Sequence, residues 1–323
     1  MKITTNITNT VYDTGRFTDG DDIRHFCLTH RLDGLELLPY DGNTLGIVPA
    51  DMVVGVHLSF YSCWVDFWTG NETGVLAEFG DWEIAKDVLG ADREALVRRH
   101  REQLDFSESI GAEYVVFHVS DVSMTEATRY KFNHTDAQVI DAALELINAI
   151  LDDGRYLFTF LVENLWWPGF TMTSPNMTRY LLEGIRYENK GIMLDTGHLL
   201  HTNNALTTQE EALTYIHTLL DAHGDLCRYI KGVHLQQSLT GAYVRALIEN
   251  PLLLKGTYYD RMGQLYPHIH KMDVYQPFTA AGVRNLIERI RPDYLTYEFS
   301  TQNRAEHEDF ISRQNAALWG GCC

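Results

Sequence analysis

Eight acids and imidazoles stand at or beside the ends of short apolar runs in this sequence. They are Glu36 in GLELLPY, His57 in GVHLSFY, His118 in VVFHVSD and Glu163 in LVENLWW, then Asp195 and His198 in MLDTGHL, His234 in GVHLQQS and Glu298 in TYEFS. Such residues bind metal ions or move protons. A lone His at the end of an apolar run is more often a hydrogen-bonded core residue, but an ionised carboxylate in apolar surroundings needs a partner. Several at one place need a strong one, and a divalent cation pairs carboxylates while accepting neutral imidazoles.

The elements that carry them alternate in type. Candidate strands are Lys2–Ile7, Gly34–Leu38, Val53–Ser59, Tyr114–Val119, Leu157–Val162, Gly191–Leu194, Ile230–Leu235 and Tyr294–Phe299, with segments of helical period between them. Eight apolar strands separated by helices predict a closed (β/α)8 TIM barrel. Its C-terminal strand ends share one mouth, where active sites form, so residues distant in sequence would converge. Thr135 to Gln138 has the form of a capping box ahead of Val139, Ile140, Ala143, Leu144, Ile147 and Ile150, and Gly154 reads as a stop. Helices are also expected over Trp82–Ser109, Asn176–Glu188 and Thr208–His223, and from Thr279 as a cap to Arg291. Residues 241–271 read as an insertion over the mouth with one short helix at most, Tyr243–Glu249. A single domain over residues 1–323 is expected, with a loose tail at about 317–323.

The chain has 323 residues, 26 Lys+Arg against 44 Asp+Glu, and a net charge of -18. Hydrophobic residues at 45% suffice for a sizeable core. The acid excess argues against a nucleic-acid partner, since phosphate contacts need clustered Lys and Arg. The first ten residues do not read as a secretory signal, and no run nears the roughly 18 apolar residues of a membrane span. Five cysteines without ligand spacing suit reduced thiols in a cytoplasmic protein. No GxSxG elbow, Walker A loop or GxGxxG after a strand is present, and Cys63 lacks any sign of a paired base.

The ENLWWPG, LDTGH and GVHLQQS segments, with the Glu of YEF, resemble the xylose isomerase-like TIM-barrel superfamily of sugar epimerases, isomerases and dehydratases and endonuclease IV. The likeness extends from about Gly34 to Ser300. It implies a metal held by Glu163, Asp195, His234 and Glu298, a set suited to Mn²⁺, Zn²⁺ or Co²⁺ more than Ca²⁺. It implies Glu163 and Glu298 as the acid/base pair of an epimerase, and His198 as a contact to substrate oxygens. The endonuclease branch uses three metals. His57 and His118 would serve a second ion with Glu163 or contact substrate. Asp273-Val274-Tyr275 carries a Tyr where that branch has a third-site His, and His268 or His270 would have to compensate.

Trp64, with the aromatics around it, and Trp166 and Trp167 are expected as substrate walls for a sugar face or aryl group, and Glu36 as a substrate contact or a support behind the ligands. The expected activity is metal-dependent isomerisation or epimerisation of a small carbohydrate-like substrate. A lyase, such as one cleaving C-glycosides of oxidised sugars, and an endonuclease IV-like metallohydrolase are the alternatives. Self-association is left open.

Overall fold

The computed structural model describes residues 1–152 and 154–320. Eight parallel strands close into a barrel in sequence order: β1 Lys2–Thr8, β2 Gly34–Leu38, β3 Val53–His57, β4 Tyr114–His118, β5 Thr159–Glu163, β6 Lys190–Asp195, β7 Ile230–Leu235 and β8 Tyr294–Tyr297. This is the expected TIM barrel, with strand ends within about two residues of the sequence reading. β2 to β5 are buried almost throughout, because helices cover the outside and side chains fill the inside. The register sets His118 beside Glu163 and Asp195 beside His234. No helix among the described residues is long and apolar enough to cross a membrane.

The Thr135 capping box forms, and helix Asp136–Ile150 buries Val139, Ile140, Ala143, Ile147 and Ile150. Four expectations are corrected. The helix expected over Trp82–Ser109 is two, Trp82–Leu89 and Arg93–Ser109, because Gly90 turns at φ +113° and the Asp92 side chain caps a new start. Thr279 caps nothing; helix Gly282–Ile290 begins after Ala281, and Thr279 binds Gln209 instead. The insertion holds two helices, Gly241–Glu249 and Tyr258–Met272. The second has its own capping box from Thr257 and Asp260, and Pro267 inside it masks the apolar period. The tail is helical through Trp319, with Leu318 buried; residues 321–323 lie outside the described residues.

Helix Tyr258–Met272 crosses from the β7–β8 connection to the helices that follow β3. Tyr258 stacks on Phe79 at 5.0 Å, the Tyr259 hydroxyl donates to Asp87 at 2.7 Å, and Arg261 donates to the Glu78 carbonyl. It is a strap fastened at both ends.

Two histidines outside the mouth make folding sensitive to acid. His100 packs against Tyr61 and Phe117 with Nδ1 donating to the Leu96 carbonyl, and burial holds it down to about 4. His307 sits 2.8 Å from the Thr5 hydroxyl, held down by burial to about 3. Between about pH 6.5 and 4 the unfolded chain takes up both protons and the folded chain does not, so together they remove stability as pH falls, at most about 2.7 kcal/mol per pH unit. Glu78 and Asp121, raised by burial to about 7 and about 6, act in the opposite direction and are common to any His variant. A His100→Phe, His307→Phe double variant should therefore gain on the wild type, in urea midpoint, as pH drops from 6.5 to 4. Parallel pH profiles would refute this account.

Candidate metal centre

The closing of the barrel brings Glu163 at the end of β5, Asp195 at the end of β6, His234 on β7 and Glu298 just past β8 to one point. One ligand atom from each lies within 4.8 Å of all the others, and none of the four residues is more than 6% exposed. His234 Nδ1 is the hub, 3.4 Å from Glu163 Oε1, 3.4 Å from Glu298 Oε2 and 3.9 Å from Asp195 Oδ2.

The orientation of His234 is fixed from below. Its Nε2 is 3.0 Å from Glu36 Oε2, and that oxygen also accepts from the Tyr114 hydroxyl at 2.7 Å and from Thr296 at 3.2 Å. Tyr114 reaches Glu36 across Gly55, where a Cβ would stand only 2.1 Å from the ring. Of the two places expected for Glu36, against substrate or behind the ligands, the structure has the second: it lies fully buried behind His234. Its charge turns the free Nδ1 toward the mouth.

The other oxygen of Glu163 meets two more imidazoles. His57 Nε2 and His118 Nε2 each stand 3.1 Å from Oε2, and His57 Nδ1 is tied to the Leu58 carbonyl at 3.0 Å. His57, Glu163 and His234 form a second set of ligand atoms within 4.8 Å of one another.

Asp195 is clamped by amides. Asn164 exchanges two hydrogen bonds of 2.9 Å with the Asp195 backbone, while Asp195 Oδ1 accepts from the His198 N–H at 2.6 Å and from Gln236 Nε2 at 3.1 Å. His198, expected to contact substrate, has both nitrogens engaged: Nδ1 with the Asn164 carbonyl at 3.0 Å and Nε2 with Asp273 Oδ2 at 3.2 Å. Asp273 follows the strap helix directly and accepts from Ser238 at 2.7 Å, with His201 at 3.8 Å. Trp166 packs its ring on His198 and His201 at 5.1 and 4.6 Å.

Other expected residues fall elsewhere. Trp64 is a core residue, donating from Nε1 to the Ser120 carbonyl at 2.9 Å, and Trp167 is buried, so neither is an open wall. His268 bonds to Tyr243 within the insertion and His270 is exposed against Tyr266, so neither replaces the missing third-site His. Asn164, Gln236 and Ser238 are site residues that the sequence does not single out, and His201, which reads as a loop residue just beyond His198, is buried beside Asp273. The first three are uncharged, and the only signal is their place inside the ENLWW and GVHLQQS segments.

Three buried carboxyls and His234 set the electrostatics of the site. Burial pushes Asp195 and Glu298 upward, and each has further carboxylates beside it that add to the push. Burial would also raise Glu163, but His118 and His234 hold it well below the usual carboxylate range. His234 is raised well above its ordinary value: burial opposes this, but Glu36, Glu298 and Glu163 outweigh it. Glu163 Oε1, His234 Nδ1 and Glu298 Oε2 are buried without a hydrogen-bond partner. Native proteins leave few such atoms, and three that face one another suit one divalent ion. Two hard carboxylates, a third that can bridge, and one imidazole match a first-row cation.

Comparison with known proteins agrees with this architecture. Residues 78–250 match the family described as xylose isomerase-like TIM barrel. No protein of curated function matches by sequence. Among solved structures, endonuclease IV from Thermus thermophilus aligns at 14% identity and TM-score 0.53, covering 98% of this chain and 99% of that one. A D-tagatose 3-epimerase-like protein aligns at 14% identity and TM-score 0.50, covering 98% and 97%. The IOLI protein with a bound zinc atom aligns at 12% identity and TM-score 0.53, covering 98% and 96%. At such identities these likenesses concern the fold.

Proposed function

Because the chain belongs to the xylose isomerase-like TIM-barrel family, whose enzymes include sugar epimerases and endonuclease IV, we propose that it is a divalent-metal-dependent isomerase or epimerase of a sugar or polyol-like substrate. The observation that carries this reading is the convergence of three partnerless ligand atoms, from Glu163, His234 and Glu298, beside Asp195. These four residues would hold the ion, Mn²⁺, Zn²⁺ or Co²⁺. When bound, it would polarise the substrate carbonyl and stabilise charge developing on oxygen.

The residues themselves divide the proton work. Glu163, kept ionised by His118 and His234, would take a proton from the carbon beside the carbonyl. Glu298, the other glutamate of the set, would be its partner in proton transfer. Asp273 and Asn164 keep His198 packed against Glu163.

A second reading has its own support. His57 and His118, each 3.1 Å from Glu163 Oε2, would hold a second ion with Glu163, and two-metal sites suit phosphodiester hydrolysis. Metal analysis separates the two. About one ion per chain, with solvent deuterium entering a ketohexose, supports the isomerase. Two or three ions, with hydrolysis of bis(p-nitrophenyl) phosphate and no deuterium uptake, would replace it with the hydrolase.

Either way the protein should be stabilised by its ion. Mn²⁺ at a hundredfold excess over its dissociation constant should restore about 2.7 kcal/mol lost on chelation. That is a rise of several degrees in melting temperature. A chelated protein whose melting temperature ignores Mn²⁺, Zn²⁺ and Co²⁺ alike would count against any metal centre.

A further inference from the structure

Helices Gly241–Glu249 and Tyr258–Met272 both belong to the β7–β8 connection and lie antiparallel: Thr240 donates to the Met272 carbonyl and Tyr243 bonds to His268. The base of this hairpin is tied to the strand ends that carry the metal ligands. Gln237 and Gln276 exchange backbone hydrogen bonds of 2.7 and 3.1 Å, Arg245 donates to the Asn204 carbonyl, and Asp273 accepts from Ser238 at 2.7 Å. The tip lies elsewhere. Tyr258 stacks on Phe79, Tyr259 donates to Asp87 at 2.7 Å and Arg261 donates to the Glu78 carbonyl, all on helices Glu72–Phe79 and Trp82–Leu89 of the β3–β4 connection. In a closed ring of eight strands β3 and β7 stand four places apart, on opposite walls. The 15-residue strap helix, about 22 Å long at 1.5 Å per residue, therefore bridges the mouth.

What lies in that mouth is shut in. Glu163, Asp195 and His234 are 0% exposed, and His198 and Asp273 are buried beside them. A molecule that is to touch Glu163 reaches it only after part of the cover moves. The hairpin is built to move as a unit. Val244, Leu247 and Met272 form a small core of its own, separate from the barrel core, which the hairpin joins through Tyr258 and Leu265. Residues 250–257 between its helices are partly or fully exposed, Leu253 at 73%. Freeing the tip breaks one ring stack and two hydrogen bonds, and leaves the hairpin core and the tied base intact. A segment held by so few contacts opens at lower cost than the barrel.

We propose that the hairpin Gly241–Met272 is a gate over the metal centre. Its tip releases helices Glu72–Phe79 and Trp82–Leu89 to admit ion and substrate, and the base at Gln237 and Gln276 stays in place. Tyr258, Tyr259 and Arg261 are the latch. The gate rests on the metal-centre reading and is independent of which substrate the centre takes.

The test compares the wild type with a Tyr259→Phe, Arg261→Met double variant, which removes both latch hydrogen bonds and touches no ligand. Release of Mn²⁺ from the loaded protein into excess EDTA should reach a plateau independent of EDTA concentration, set by opening. The variant should raise that plateau about tenfold, the effect of losing two ordinary hydrogen bonds, with equilibrium Mn²⁺ affinity unchanged because uptake quickens equally. A second reading needs no ion. His118, 3.1 Å from Glu163, has both ring nitrogens buried without a hydrogen-bond partner, so its carbethoxylation by diethyl pyrocarbonate in the metal-free protein reports access to the centre. It should also quicken about tenfold in the variant, while His100 and His307, buried away from the mouth, keep their wild-type rates. Release or His118 modification at the wild-type rate in the variant would overturn the gate, as would an equal quickening at His100 and His307. If the protein holds no ion, the metal-centre reading fails and His118 alone decides the gate.

Discussion

Glu163→Gln should lower turnover at least a thousandfold, and Glu298→Gln should do nearly the same, with the barrel still folded. General acid or base catalysis contributes about 10²–10⁴-fold, and each glutamate also supplies a ligand atom. At Glu163 the amide keeps one oxygen but removes the charge that faces His57, His118 and His234, so both proton abstraction and cation binding suffer. At Glu298 the amide cannot take part in proton transfer as the carboxyl can. The informative measurement is solvent deuterium entering the substrate carbon, read together with metal content. A Glu298→Gln protein that retains its ion but loses exchange identifies a proton-transfer residue. If both variants exchanged deuterium at the wild-type rate, the acid/base assignment would be wrong.

The second large effect is expected from a residue that never meets substrate. Glu36→Leu removes a fully buried charge on which His234, Tyr114 and Thr296 converge. Three donors lose their acceptor, and His234 is left among the remaining acids without the group that orients it. Breaking a buried pair from one side costs about 3–5 kcal/mol. Loss of a carboxylate behind a metal-binding histidine typically weakens the metal about 10–100-fold. Urea unfolding and titration with Mn²⁺ should show both losses. Glu36→Gln, which can still accept from Tyr114 or Thr296, should recover part of the stability. Unchanged metal affinity in Glu36→Leu would show that His234 needs no such support.

The barrel is legible in the sequence because its signals are local. Apolar strands such as Tyr114–Phe117 and capped helices such as Asp136–Ile150 announce themselves within a few residues. The strap helix Tyr258–Met272 is not, since Pro267 and a mixture of Tyr, His and Met break the periodicity behind the Thr257 capping box. The split at Gly90 is hidden because a helical pattern continues on both sides of it, and the turn shows only in the backbone angle. Trp64 misleads for another reason. An aromatic cluster beside a strand end has the same composition whether it faces a ligand or packs in the core.

What the sequence determined alone was the kind of chemistry and its address. Acids and imidazoles at the ends of apolar strands are a one-dimensional fact, and parallel strands carry such ends to the same rim. The roles within that set were decided only by the tertiary structure. Glu36 and Glu298 read alike along the chain, yet the register of β2 against β3 and β7 against β8 sets one behind His234 and the other in front of it. Which nitrogen is free, which oxygen lacks a partner and which wall the strap helix reaches are relations between residues up to hundreds of positions apart. They exist only once the ring of strands has closed.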